Sequence, residues 1–294
     1  MFQSRLTHLL IAAALLLPSS GHAAAAEAPP QLITSWGGLS NPQGIAVDGA
    51  GNVYVADTGN HRVVEYTSNG SFVGEWDQPS DLPSYLTGPI DVAVLPNGNV
   101  WVSEGGGFVA LNSALILQRY WQVFGVNYLA LDPTNHYLYT GAGLYVIKYS
   151  VSDGSIATQW QYAGPRFGTH FFGLAVGSSG VLYVSEEGFA EAWSPNGQLL
   201  SAWQPPEGSA YAIATDPAEL LFVTLGTSVG KFTTTGTEVV AWTVPGAGGL
   251  LDIATDAQGS IFVLSASNGT VYKYGYSTVP VRRQTLGSLK MLYR

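Results

Sequence analysis

An all-β, six-bladed β-propeller is the fold this sequence predicts, with four antiparallel strands in each blade. Three observations predict it. A five-residue apolar pattern recurs six times at a spacing near forty, and a tryptophan recurs six times out of step with it. Composition agrees: 36 glycines, 16 tyrosines and 8 tryptophans accompany only 11% charged residues, a folded β profile.

Taken in order, the chain starts with a segment to set aside. Residues 1–26 read as a signal peptide: Arg5 and His8, the apolar run Leu9–Leu17 broken at Pro18, then Ala23 to Ala26 before Glu27. The run is too short to span a bilayer, and nothing later is long enough. A secreted or periplasmic protein with no membrane span in its mature chain is expected. The absence of cysteine excludes disulfides, thiolate metal sites, cysteine nucleophiles and a lipoprotein anchor, so a large core must hold the fold.

The first strand of each repeat lies in Gly44–Asp48, Asp91–Leu95, Tyr128–Asp132, Gly173–Gly177, Ala212–Asp216 and Asp252–Asp256. Successive runs are 47, 37, 45, 39 and 40 residues apart, the length of a propeller blade with loop insertions. After a Gly- or Asn-rich turn comes a second strand of β-branched and aromatic residues, such as Val53–Val55, Val100–Val102 and Ile261–Val263. Third strands end near Tyr66, Tyr149, Trp193, Phe232 and Tyr274, and fourth strands end at Trp36, Trp76, Trp121, Trp160, Trp203 and Trp242. The chain therefore begins with a fourth strand, and its last repeat lacks one. Gln31–Trp36 is expected to pair with the C-terminal unit, residues 250–276, closing the ring and removing a loose edge. Packing between blades accounts for the tryptophans better than a carbohydrate platform does.

Asn41-Pro42-Gln43-Gly44-Ile45-Ala46-Val47-Asp48, followed by Gly51-Asn52-Val53-Tyr54-Val55-Ala56-Asp57-Thr58-Gly59-Asn60-His61-Arg62-Val63, resembles an NHL repeat, including the Asn-His run that names that family. Blades two to six keep the spacing and lose the Asn-His-Arg part. The resemblance covers about residues 31–276 of a propeller assigned to 27–276. It leaves out a basic tail, 277–294, with Arg282, Arg283, Lys290, Arg294 and no acid. The family implies an aromatic residue at the tryptophan positions. Two related enzyme classes fit poorly: the zinc-dependent amidating lyase of the NHL-like class needs a histidine set this chain lacks. Streptogramin-type lyases are similar in fold, yet blade six here has no histidine.

Propellers commonly bind ligands on the face where first strands begin and second strands end, called here the top. At the ends of the second strands stand Asp57, Glu104, Gly141, Glu186, Leu225 and Ser265, with Glu187 beside the fourth. These acids could hold a hard cation such as calcium, or serve turn chemistry, Asp57 pairing with Arg62. Asp91 and Asp252 open first strands on either side of blade one. They could form an acid–base or metal pair, or be solvated by channel water. His170, four residues after Arg166 in the loop before blade four, is the histidine best placed for catalysis, with His61 in the repeat motif and His136 in a bottom turn. The longest top loops, 77–89 and 161–172, mix aromatics with few charges and suit a protein, peptide or glycan partner. A net charge of −9 argues against nucleic acid. No cofactor is evident beyond such a cation. The expected function is a binding module for a protein, peptide or cell-wall ligand on the top face; the alternative is a metal-dependent lyase or hydrolase.

Overall fold

The strand that opens the chain, β1 (Gln31–Trp36), is the outermost strand of the last blade. The computed structural model describes residues 27–276 apart from 81, 85–87, 124, 143–144, 162–170, 187 and 207–209. Residues 1–26, expected to be a leader, the basic stretch 277–294, Arg166, His170 and Glu187 thus lie outside the described residues. Blade one is β2 to β5 (Gly44–Val47, Val53–Asp57, Arg62–Tyr66, Phe72–Asp77) and blade two β6 to β9 (Pro89–Val94, Val100–Glu104, Gly107–Leu111, Leu117–Gln122). Blade three is β10 to β13 (Val126–Leu131, Tyr137–Ala142, Tyr145–Ser150, Ile156–Gln161) and blade four β14 to β17 (Phe171–Val176, Leu182–Glu186, Phe189–Trp193, Leu199–Trp203). Blade five is β18 to β21 (Ile213–Thr215, Leu221–Leu225, Ser228–Phe232, Glu238–Thr243), and blade six β22 to β24 (Leu250–Thr255, Ile261–Ser265, Thr270–Gly275) with β1 outside β24.

Second strands are buried on both faces: all five residues of β3, β7, β15, β19 and β23 are buried. That is why they read as continuous apolar runs rather than as alternating ones. Side chains still alternate, but between two neighbours. Val53 and Val55 pack toward blade six, and Tyr54 and Ala56 toward blade two. The core is accordingly a set of six clusters, each shared by two adjacent blades. Each fully buried Val, Leu or Phe in them contributes about 1.5–3 kcal/mol.

The closing seam reproduces the geometry of the other blades. β1 pairs antiparallel with β24, Gln31 opposite Gly275 and Trp36 opposite Val271, with the register shifting between Leu32 and Thr34. The same shift occurs where third and fourth strands meet in blade one, between Glu65 and Tyr66, and in blade five, between Lys231 and Phe232. A strand from the far end of the chain takes the register of a hairpin although no turn dictates it; the bulge and the apolar pattern do.

The tryptophans bridge blades. Trp242 lies 6.4 Å from Phe222 of its own blade and 5.8 Å from Tyr274 of the next. Trp36 likewise spans Phe262 and Tyr66. Gly70, in the turn between the third and fourth strands of blade one, has a φ of +83°, and a Cβ there would come 2.5 Å from the Trp36 ring. Only glycine allows that turn to lie on the indole.

Candidate functional site

The top end of the central channel is built from repeat-equivalent residues at or near the start of each first strand: Gly44, Asp91, Tyr128, Gly173, Ala212 and Asp252. Asp91 is buried. One of its oxygens accepts the Val92 N–H at 2.7 Å, and the other accepts the Leu129 N–H of blade three at 2.7 Å. Asp252 does the same job at the seam, accepting the Ile253 N–H at 2.8 Å and the Ile45 N–H of blade one at 2.7 Å. First strands of neighbouring blades do not pair with each other, so each carboxylate satisfies a backbone donor that would otherwise lack a partner. Ser103 adds to the blade two–three contact by donating its Oγ–H to the Asn127 carbonyl at 2.7 Å.

Both acids bear on the same stretch of blade one. A Cβ on Gly44 would lie 2.4 Å from Asp91 Oδ1 and 2.6 Å from Asp91 Cα. The residue after Gly44 is the one bonded by Asp252. Burial raises the Asp91 carboxyl well above the usual range and the charge of Asp252 raises it further, while the backbone donors oppose the shift. Burial raises Asp252 as well. The Tyr128 phenol is pushed up to about 12, by burial first and then by Asp91 and Asp252. The mouth thus holds two acids that resist ionising together and a phenol that keeps its proton. Below it the channel holds about 200 Å³ and is lined by the first strands, each of which contributes an alanine.

At the ends of the second strands, Asp57 and Glu104 share a role and differ in their partners. Asp57 Oδ1 accepts the Ser40 N–H at 2.7 Å, fixing the loop that enters its blade; Oδ2 accepts from Asn60 at 2.8 Å and from Arg62 Nε at 2.7 Å. Glu104 Oε2 accepts the Gly88 N–H at 2.8 Å, again from the entering loop, and the Gln78 amide at 3.2 Å. Across from Asp57 stands Arg62, but across from Glu104 stands Gly107. Its other oxygen is buried with no hydrogen-bond partner among the described residues. Burial therefore pushes Glu104 up to about 7, against the pull of Gly88 and Gln78. Glu186 is buried at the same position of blade four. Among the described residues no group of three or more His, Asp or Glu is close enough to hold a metal ion.

A different top feature was not legible in the sequence. Between blades five and six an apolar groove of about 390 Å³ is bounded by Tyr211, Gly226, Thr227, Gly248, Gly249, Leu250, Leu251, Ala266 and Ser267. Tyr211 and Leu251 are each 37% exposed, and Phe172 lies 5.7 Å from the Tyr211 ring. The groove opens at two of the three blades whose second strands end without an acid, at Leu225 and Ser265. That substitution was the available signal; the small residues that make the space carry no chemical signature.

The family model for the NHL repeat matches residues 39–66. No curated protein matches at a significant level. Two of the solved structures with this fold are a streptogramin B lyase and a catalytically inactive virginiamycin B lyase from Staphylococcus aureus with quinupristin. The first is 15% identical with a TM-score of 0.59, covering 79% of this chain and 78% of the other. The second is 16% identical with a TM-score of 0.60, covering 80% of each. At such identity the likeness is one of fold.

Proposed function

We propose that this six-bladed propeller, with an NHL repeat in its first blade, is an interaction module that takes a protein, peptide or cell-wall ligand on its top face. The observation that carries the reading is the groove between blades five and six. Its volume, about 390 Å³, is in the range of small-ligand pockets and accommodates one or two apolar side chains of a bound segment. It is walled by strand ends and short turns, so little ordering entropy is lost when it is filled. With its leader, the chain would work as a secreted or periplasmic protein.

The buried acids favour binding over catalysis. Each carboxylate oxygen of Asp91 and Asp252 accepts a backbone N–H. A cation placed between them would have to share oxygens already committed to holding the blades. A general base at either position would trade those bonds for its proton. A calcium ion at the mouth would show as a rise in melting temperature lost on chelation.

The test is affinity measured by calorimetry against a panel of peptides and cell-wall fragments. Leu251→Glu and Tyr211→Ala should weaken the best ligand tenfold or more with the melting temperature unchanged, and Leu199→Glu on the outer rim should leave it intact. Equal affinity in all three variants would remove the groove from the function.

A further inference from the structure

Between blades two and three, on the face opposite the top, lies a hollow of about 330 Å³. A missing side chain accounts for it. In four blades the third strand places a charged residue opposite the aromatic residue of the second strand: Glu65 opposite Tyr54, Lys148 opposite Tyr139, Lys231 opposite Phe222 and Lys273 opposite Phe262. The lysines lie over those rings, with Nζ 5.1 Å from the centre of Tyr139, 5.7 Å from Phe222 and 5.3 Å from Phe262. Blade two instead has Ala110 opposite Trp101, and both residues line the hollow.

Acids are missing from this spot as well. The first-strand runs of blades one, three, five and six end in Asp48, Asp132, Asp216 and Asp256, whereas that of blade two ends in Leu95, which walls the hollow. Blade four also has an alanine, Ala192 opposite Tyr183. There, however, Glu219 of blade five reaches across and accepts the Ser178 hydroxyl at 2.7 Å. Asp153, in the turn that supplies Val151 and Ser152, accepts from the Ser155 N–H at 3.0 Å and its hydroxyl at 2.8 Å, and does not border the hollow.

What remains is a cation beside an apolar wall. Arg119 stands on β9 opposite Ala110 and borders the hollow. Its guanidinium is 5.5 Å from the centre of the Trp121 ring. Among the described residues no carboxylate lies within 4.0 Å of it, whereas Arg62 and Lys231 are both paired. Asn97 uses its side-chain oxygen to accept the Asn99 N–H at 3.0 Å, which leaves its amide nitrogen as a donor. Leu95, Ala110, Leu111 and Val151 supply the apolar lining. One fixed positive charge suits a monoanion. A phosphate asks for more than one cation, and a polyanion would meet a chain of net charge −9. The planar fork of a guanidinium matches a carboxylate through two parallel bonds. The volume lies at the lower end of the range for small-ligand sites.

We propose that this hollow is a second binding site, for a small carboxylate with a compact apolar body. The carboxylate pairs with Arg119, and the body fills the space beside Trp101 that a lysine takes in blades three, five and six. The claim is independent of the top-face groove.

Ligand-observed NMR on the chain 27–294 tests it, with phenylacetate and isovalerate as probes and their neutral amides and inorganic phosphate as controls. Both acids should bind saturably. The amides should bind at least tenfold more weakly, and phosphate should not displace the acids. Arg119→Gln, at an exposed position, and Ala110→Met, which fills the hollow without adding charge, should each weaken binding tenfold or more with the melting temperature unchanged. Leu251→Glu in the top groove should leave it intact. The proposal is overturned if neither acid binds, or if binding survives both Arg119→Gln and Ala110→Met. Ready displacement by phosphate would also overturn it, by reducing the site to an attraction for any anion. So would binding that Leu251→Glu abolishes and Arg119→Gln spares, because the acids would then sit in the top groove.

Discussion

Replacing Glu104 by glutamine should flatten the pH dependence of stability. The carboxyl is fully buried, and its pKa is raised from 4.5 to about 7. The folded ring therefore binds this proton more tightly than the unfolded chain does. The contribution is fully present below about pH 4.5 and is lost as pH rises through 7, when a charge forms opposite Gly107 with no cation to meet it. The displacement corresponds to about 3 kcal/mol. For a protein of this size it amounts to roughly 6–12 °C in melting temperature between pH 5 and pH 8. Glutamine keeps an acceptor for the Gly88 N–H and cannot ionise. Thermal melts of both proteins across that range should show the wild type losing several degrees more than the variant. Parallel curves would refute the reasoning, because the fall would then belong to other groups, such as Asp91 and Asp252, which both proteins retain.

Other substitutions probe the joints between blades. Gly44→Ala should destabilise by about 1–3 kcal/mol in urea unfolding, since its Cβ would fall 2.6 Å from Asp91 Cα, where backbone cannot yield cheaply. Asp91→Ala should cost about 1–3 kcal/mol by leaving the Leu129 N–H unpaired. That loss should shrink toward high pH, where the repulsion from Asp252 is also relieved. Arg62→Ala strips the cation from buried Asp57. Because Arg62 is itself 25% exposed, the expected loss in chemical denaturation is about 2–3 kcal/mol.

The blade count and the seam were legible because both rest on period and phase. Trp36 preceding Gly44, and Tyr274 lacking a following tryptophan strand, leave one pairing open, and β1 takes it. The Asp57–Arg62 pair was legible too, since both residues sit in one short motif. The acids of the channel mouth were read as a reactive pair or as solvated groups, whereas each reaches a backbone N–H of the next blade. Sequence cannot show that contact: Asp252 and Ile45 are 207 residues apart and meet only when the ring closes. The groove at Gly248 and Gly249 escaped for the opposite reason, being shaped by what those residues lack.

Site-specific photo-crosslinking examines ligand capture by the top groove most directly. A photoreactive side chain at position 251 of the mature protein, exposed to an envelope fraction, should give a discrete adduct that excess unlabelled protein suppresses. The same group at position 156, on the outer rim of blade three, should give none. Adducts confined to position 156, with position 251 silent, would contradict it.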